Sequence, residues 1–127
     1  MEEYTLKSDD FLVSLTDEKG VILFANDDFC DIAGYSIDEL IGKHHNIVRH
    51  KDMPRVAFKG LWDTVKRDEI WNGYVKNSTK SGGYYWVYAT VYPMYDEVTK
   101  LKTYMSCRRK PSKQEIEEAQ KLYTTLN

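Results

Sequence analysis

All three histidines of the chain, His44, His45 and His50, fall within the segment from Lys43 to Trp62. Arg49 and Arg55 stand in the same segment, around an Asp52-Met53-Pro54 step. Guanidinium and imidazole groups are donors suited to oxyanions. Arg49 can give a forked bond to phosphate oxygens, and His50 or His45 can add one more. Asp52 could hold Arg49 in place or accept from a sugar or base donor. Phe58 and Trp62 follow, four residues apart. Positive charge ahead of two large aromatics at helical spacing fits a ligand with an anionic tail and a flat ring. The same residues also fit a solvated helix edge, whose ion pairs are worth about 0–1 kcal/mol each, and an ordinary aromatic core. Further on, Asn77 lies inside a strand-like run, where Asn is disfavoured. It is either a turn-edge residue or an amide offering a donor and an acceptor to a ligand.

Other chemistries find little support. Three His and two Cys lack zinc-ligand spacing. Nothing matches a Ser/His/Asp group, a Gly-rich phosphate loop or a paired-carboxylate site, so no enzyme activity is expected.

The elements that must position these residues are legible from periodicity and caps. Phe11–Thr16 alternates with period two, "DEKG" is a turn, and Val21–Ala25 completes a hairpin. Asn26 can cap a short helix that stops at Gly34, and Ser36 begins another that stops at Gly42. "HHNIVRH" is a short helix or loop. A longer helix is expected from Pro54 to about Arg67, with Ala57, Phe58, Leu61, Trp62 and Val65 on its apolar arc. Three strands follow, "IWNGYVKNST", "YYWVYATVYPMYD" and "LKTYMSCRR". In the middle one Tyr85, Val87, Ala89 and Val91 share one face, and Tyr84, Trp86, Tyr88 and Tyr92 share the other. That aromatic second face reads as a contact surface. Pro111 opens a last helix, expected to pack on another chain or lead into one. The order gives an α+β fold with helices on one face of an antiparallel sheet and a cleft between the two layers.

With 127 residues, a single domain is expected. Formal net charge is -2, so bulk charge points to neither nucleic acid nor an acidic membrane. The charge is uneven. Residues 1–42 are strongly acidic, whereas residues 43–67 carry seven Lys/Arg against two Asp. No apolar run approaches the ~20 residues of a membrane span, and the N-terminus lacks a signal-peptide pattern. Cys30 and Cys107 have no CxxC spacing and read as buried thiols of a cytoplasmic protein.

The run "FANDDFCDIAGYSIDELIGKHHNIVRHKDMP" resembles the first half of a PAS domain. With "HNIVRHKDMPRVAF", "WNGYVKNSTKSGGYYWV" and "YPM", the likeness narrows to the PAS domains of bacterial aerotaxis receptors, over about residues 10–110. Residues 1–9 then form an N-terminal cap segment and 111–127 a C-terminal helix or linker. The resemblance implies a five-stranded antiparallel PAS sheet with FAD held between helices and sheet, and sensing of redox or energy state in place of catalysis. It implies that Arg49, His50 and Asp52 hold FAD, and it matches Asn26, His45, Phe58, Trp62 and Asn77 to cofactor-binding positions. Asn26 reads equally well as a helix cap. The segment "HNIVRHKDMP" has no cysteine, so blue-light photoadduct chemistry is not expected.

Receptors of this group carry a membrane anchor and a signalling helix after the PAS domain, and this chain ends at residue 127. The expected partner is a HAMP-containing or methyl-accepting membrane signal transducer, in cis or as a separate chain. A homodimer is a further possibility, and the domain itself is expected in the cytoplasm. The alternative function is a ligand-free PAS module that only dimerises or binds protein.

Overall fold

The structure is a computed structural model and describes residues 2–126. Strands β1 (Leu12–Thr16) and β2 (Ile22–Ala25) form the first hairpin. Helices α1 (Asp27–Ala33) and α2 (Ile37–Leu40), a 3-10 turn over His45–Val48 and helix α3 (Arg55–Lys66) follow. Strands β3 (Trp71–Ser78), β4 (Tyr84–Tyr95) and β5 (Lys102–Arg109) and helix α4 (Lys113–Leu126) complete the chain. The sheet is antiparallel throughout, in the order β2-β1-β5-β4-β3.

Local chemistry sets the helix ends. The Asn26 side chain accepts from Phe29 N, two aspartates occupy the first turn of α1, and Gly34 ends it in the left-handed region at φ 84°. Ser36 and Glu39 form a reciprocal capping box on α2. Pro54 stands one position before α3, not inside its first turn, and leaves the helix to begin at Arg55.

The alternation of β4 holds. Tyr85 and Val87 are wholly buried on the inner face, with Ala89 and Val91 nearly so, and α1, α2 and α3 lie over that face. Leu12, Ile22, Phe29 and Leu40 close the core beneath them. Each such side chain contributes about 1.5–3 kcal/mol by leaving water.

The outer face carries α4. Tyr123 stacks on Trp86 with ring centroids 6.3 Å apart, and its hydroxyl donates to the Tyr74 carbonyl at 2.6 Å. The Tyr74 hydroxyl donates to the Glu115 carboxylate. The last helix therefore folds back onto its own sheet, where the sequence pointed to another chain. The aromatic residues Tyr74 and Trp86 supply the surface it needs. The N-terminal segment also docks: Tyr4 N donates to Tyr84 O at 2.8 Å, and Leu6 is buried.

The connection between α2 and α3 fastens to both rims of the sheet. Val21 bridges His44 beside β2, and Arg49 bridges Asn77 on β3. At the first rim His45 N donates to Gly20 O at 2.9 Å. Gly20 has φ +84°, and a Cβ there would stand 2.7 Å from His44 Nε2. The left-handed backbone favours glycine there, and the turn lies directly against the histidine pair.

Candidate functional site

A cavity of about 50 Å³ lies between α3 and the inner face of the sheet. The connection supplies His45, Val48 and Arg49, and α3 supplies Phe58, Leu61 and Trp62. The strands supply Ser14, Thr16, Val75, Asn77, Tyr104, Ser106 and Arg108 among others. Each wall follows from local pattern. Phe58, Leu61 and Trp62 share the apolar arc of α3, and the strand residues are alternate positions turned inward.

The polar groups of this wall are unusual for an apolar cleft. Ser14 Oγ, His45 Nε2, Arg49 Nε and Arg108 Nη1 are buried without a hydrogen-bond partner. No carboxylate lines the cavity among the described residues. Arg49 lies over the Phe58 ring at 3.9 Å and Arg108 over Phe29 at 5.0 Å, so aromatic faces are their nearest compensation. Burial pulls the Arg49 guanidinium below its ordinary value and Arg108 down to about 10. At about 10, Arg108 still carries its charge near neutrality. His45 packs between Phe58 and Trp62, with centroids 6.4 and 5.3 Å away. Burial first, then His44 and the two arginines, lower it to about 3, so its ring is neutral. Asn77 stands opposite Tyr85 in the β3–β4 register, and burial pushes the Tyr85 phenol up to about 12.

Of the eight residues expected at a cofactor site, the structure brings five together: His45, Arg49, Phe58, Trp62 and Asn77. The other three stand apart from the cavity wall. The Asn26 amide accepts from Val13 N and Phe29 N and donates to Phe11 O, so it joins β1 to α1 as a cap. His50 is buried against Tyr84, with ring centroids 6.0 Å apart, and its Nδ1 accepts from Asp52 N at 3.0 Å. Asp52 does not hold Arg49. Its carboxylate accepts from Lys76 Nζ at 2.9 Å, beside a second hollow lined by Lys51, Met53, Trp86 and Tyr123. That bond lowers the Asp52 pKa. The connection turns between Arg49 and Asp52, and the two side chains face opposite sides of the β3 rim.

Sequence reasoning missed Arg108, Ser106, Tyr104 and Ser14. Period-two alternation along "TYMSCRR" puts Tyr104, Ser106 and Arg108 on one face, which was the available signal. Neither cysteine lines the cavity: Cys30 sits on α1, and Cys107 accompanies the Tyr92 hydroxyl at 3.2 Å.

A family model described as the PAS fold matches residues 22–106, two thirds of the chain. The chain belongs to the PAS family. Its sequence is 45% identical to the aerotaxis receptor of Escherichia coli (strain K12) over 96% of this chain and 24% of that protein, which makes its PAS domain one of the aerotaxis-receptor type. It is also 29% identical to the nitrogen fixation regulatory protein of Klebsiella oxytoca over 76% of this chain and 20% of that protein. The chain thus spans about a quarter or less of the length of these curated relatives. The light-state structure of the blue-light photoreceptor Aureochrome1 LOV superposes with a TM-score of 0.76 at 16% identity, over 89% of this chain and 91% of that one. At that identity the likeness speaks for the fold. No helix among the described residues is long and apolar enough to cross a membrane.

Proposed function

We propose that this PAS domain is a sensory module that takes FAD in the cleft between α3 and the sheet and reports redox or energy state to a chemotaxis transducer. One observation carries the reading. Arg49 and Arg108, each half-buried, each bury one guanidinium nitrogen without a hydrogen bond in an apolar cleft with no carboxylate in the wall. An unpaired buried cation is costly, and an electron-rich ligand is the group that repays it. The similarity to an aerotaxis receptor supports the same assignment.

The donor chemistry fits a flavin dinucleotide, and the space fits only after opening. A volume of about 50 Å³ is small beside the roughly 300–1,000 Å³ of ordinary ligand pockets. His45, Arg49 and Trp62 line the space, and side chains of the wall have to shift for a ring to enter. FAD would supply reversible electron storage, exchanged with a respiratory or soluble donor. The chain's own residues do the rest. Arg49, at the β3 rim, offers a fork for a diphosphate. His45, neutral, offers Nε2 without adding charge. Asn77 carries both a donor and an acceptor, so by turning its amide it can bond a ring edge in either protonation state. One such rearranged bond is worth about 1 kcal/mol, and a ligand moves an equilibrium only by its differential interaction. The resulting signal is graded unless an array of receptors amplifies it. In this reading the partner is a HAMP-containing or methyl-accepting membrane transducer, in cis or as a separate chain, and the domain works at its cytoplasmic side.

The small cavity favours a second reading, a ligand-free module that dimerises or binds protein. Purified protein expressed with saturating flavin separates the two. A yellow protein that releases FAD on denaturation, identified by mass, is the expected result. A colourless protein ends the sensory reading in favour of the second.

A further inference from the structure

The two arginines with a buried nitrogen lacking a hydrogen bond come from different parts of the cleft. Arg49 belongs to the connection and bridges the rim strand β3 at Asn77. Arg108 belongs to β5, the middle strand of the sheet, paired with Leu12 on one side and Ala89 on the other. It is therefore on the floor of the cavity, with Ser14 and Ser106 as its polar neighbours in the wall. Its Nη1 is sealed from solvent without a hydrogen bond. The nearby ring of Phe29 and the phenol of Tyr85 supply no negative charge near neutrality. Within the folded chain that charge has the Phe29 face as compensation and no hydrogen bond at Nη1. Water would solvate it better, and an apolar side chain of similar length would pack at lower cost.

We infer that Arg108 is a ligand-tuning residue, whose fixed positive charge on the cavity floor makes the site hold a ring more tightly as that ring gains electrons. This rests on the flavin reading and assigns the two arginines different tasks. Arg49 at the rim serves the anionic tail. Arg108 sets the preference between electron-poor and electron-rich forms of the ring, and through it the potential at which the sensor responds. In the direction of reduction, the ring takes two electrons from the respiratory or soluble donor and one proton from solvent, and so gains one negative charge beside Arg108. Arg108 stays protonated and exchanges nothing.

The test compares wild type, Arg108→Met and Arg108→Lys, each flavin-free and loaded with FAD. Flavin-free Arg108→Met should unfold at a higher urea concentration than flavin-free wild type, because the stranded charge is gone. Loaded with FAD and titrated against a reference dye, it should lose at least tenfold in its preference for reduced over oxidised flavin. Tenfold corresponds to a midpoint about 30 mV lower for a two-electron couple. Arg108→Lys, which keeps the charge, should hold the wild-type preference within threefold. An Arg108→Met protein that is less stable than wild type, or fails to fold, overturns the inference, since Arg108 then supports the fold. An unchanged preference in Arg108→Met overturns it, and so does an Arg108→Lys protein that loses as much preference as Arg108→Met. Wild type that takes up no FAD brings down the sensory reading itself, a result distinct from any of these.

Discussion

Strand β3 has two faces that treat polar groups in opposite ways. On the outer side, Tyr74 donates to Glu115, its carbonyl accepts from Tyr123, and Lys76 donates to Asp52. On the inner side, Asn77 borders a cavity where Ser14, His45, Arg49 and Arg108 each bury an atom without a partner. Buried polar groups in folded proteins are nearly always satisfied. In the proposed function, the ligand supplies the partners that this second set lacks.

The largest effect expected from breaking this contrast is on ligand retention. Arg49→Ala should lose FAD at least tenfold while the circular dichroism of the folded domain persists. Asp52→Asn should weaken FAD less, because the Asp52 carboxylate works against Lys76 on the far side of the rim. Equal losses from both would mean that the resemblance places Asp52 at the cofactor better than this geometry does.

Next in size is the response to acid. In the unfolded chain His45 takes a proton near its ordinary pKa of 6.5, whereas burial keeps the folded ring neutral down to about 3. Between those values the unfolded state binds more protons, so stability is full above pH 6.5 and falls as pH drops toward 3. Urea midpoints measured from pH 7 to 5 should decline in wild type and decline less in His45→Gln. Parallel curves would show that His45 is more open to water than the cavity implies.

The smallest effect belongs to the satisfied face. Tyr123→Phe removes one hydrogen bond to the Tyr74 carbonyl and should cost about 1 kcal/mol. Amide exchange in α4 should quicken while FAD retention stays as in wild type. Loss of flavin in this variant would show that the two faces are not independent.

Much of the fold was readable because its signals are local. Asn26 and Ser36 cap the helices where their side chains allow, and the alternation of β4 sorts its inner and outer residues without knowledge of the neighbours. The site was readable only in part, for two reasons. Arg108 becomes a cavity residue through pairing with Leu12, nearly a hundred positions away, and nothing next to it in sequence marks that. Arg49 and Asp52 read as one cluster along the chain, yet the backbone turns between them and the strand rim separates their side chains. The last helix also depended on distant partners: its docking rests on Tyr74 of β3 and on Trp86, and the β4 face that carries Trp86 read as a contact surface for another chain.

The connection that bridges Val21 at His44 and Asn77 at Arg49 has a bearing on solubility. An open sheet offers two borders of unpaired amides and carbonyls, each a template onto which a foreign strand can zip. Here one strap, buckled at both borders, occupies part of each template. A strand from a neighbouring molecule would have to unfasten it before adding at those positions, and the same basic stretch that lines the cleft thus also guards against sheet-to-sheet aggregation.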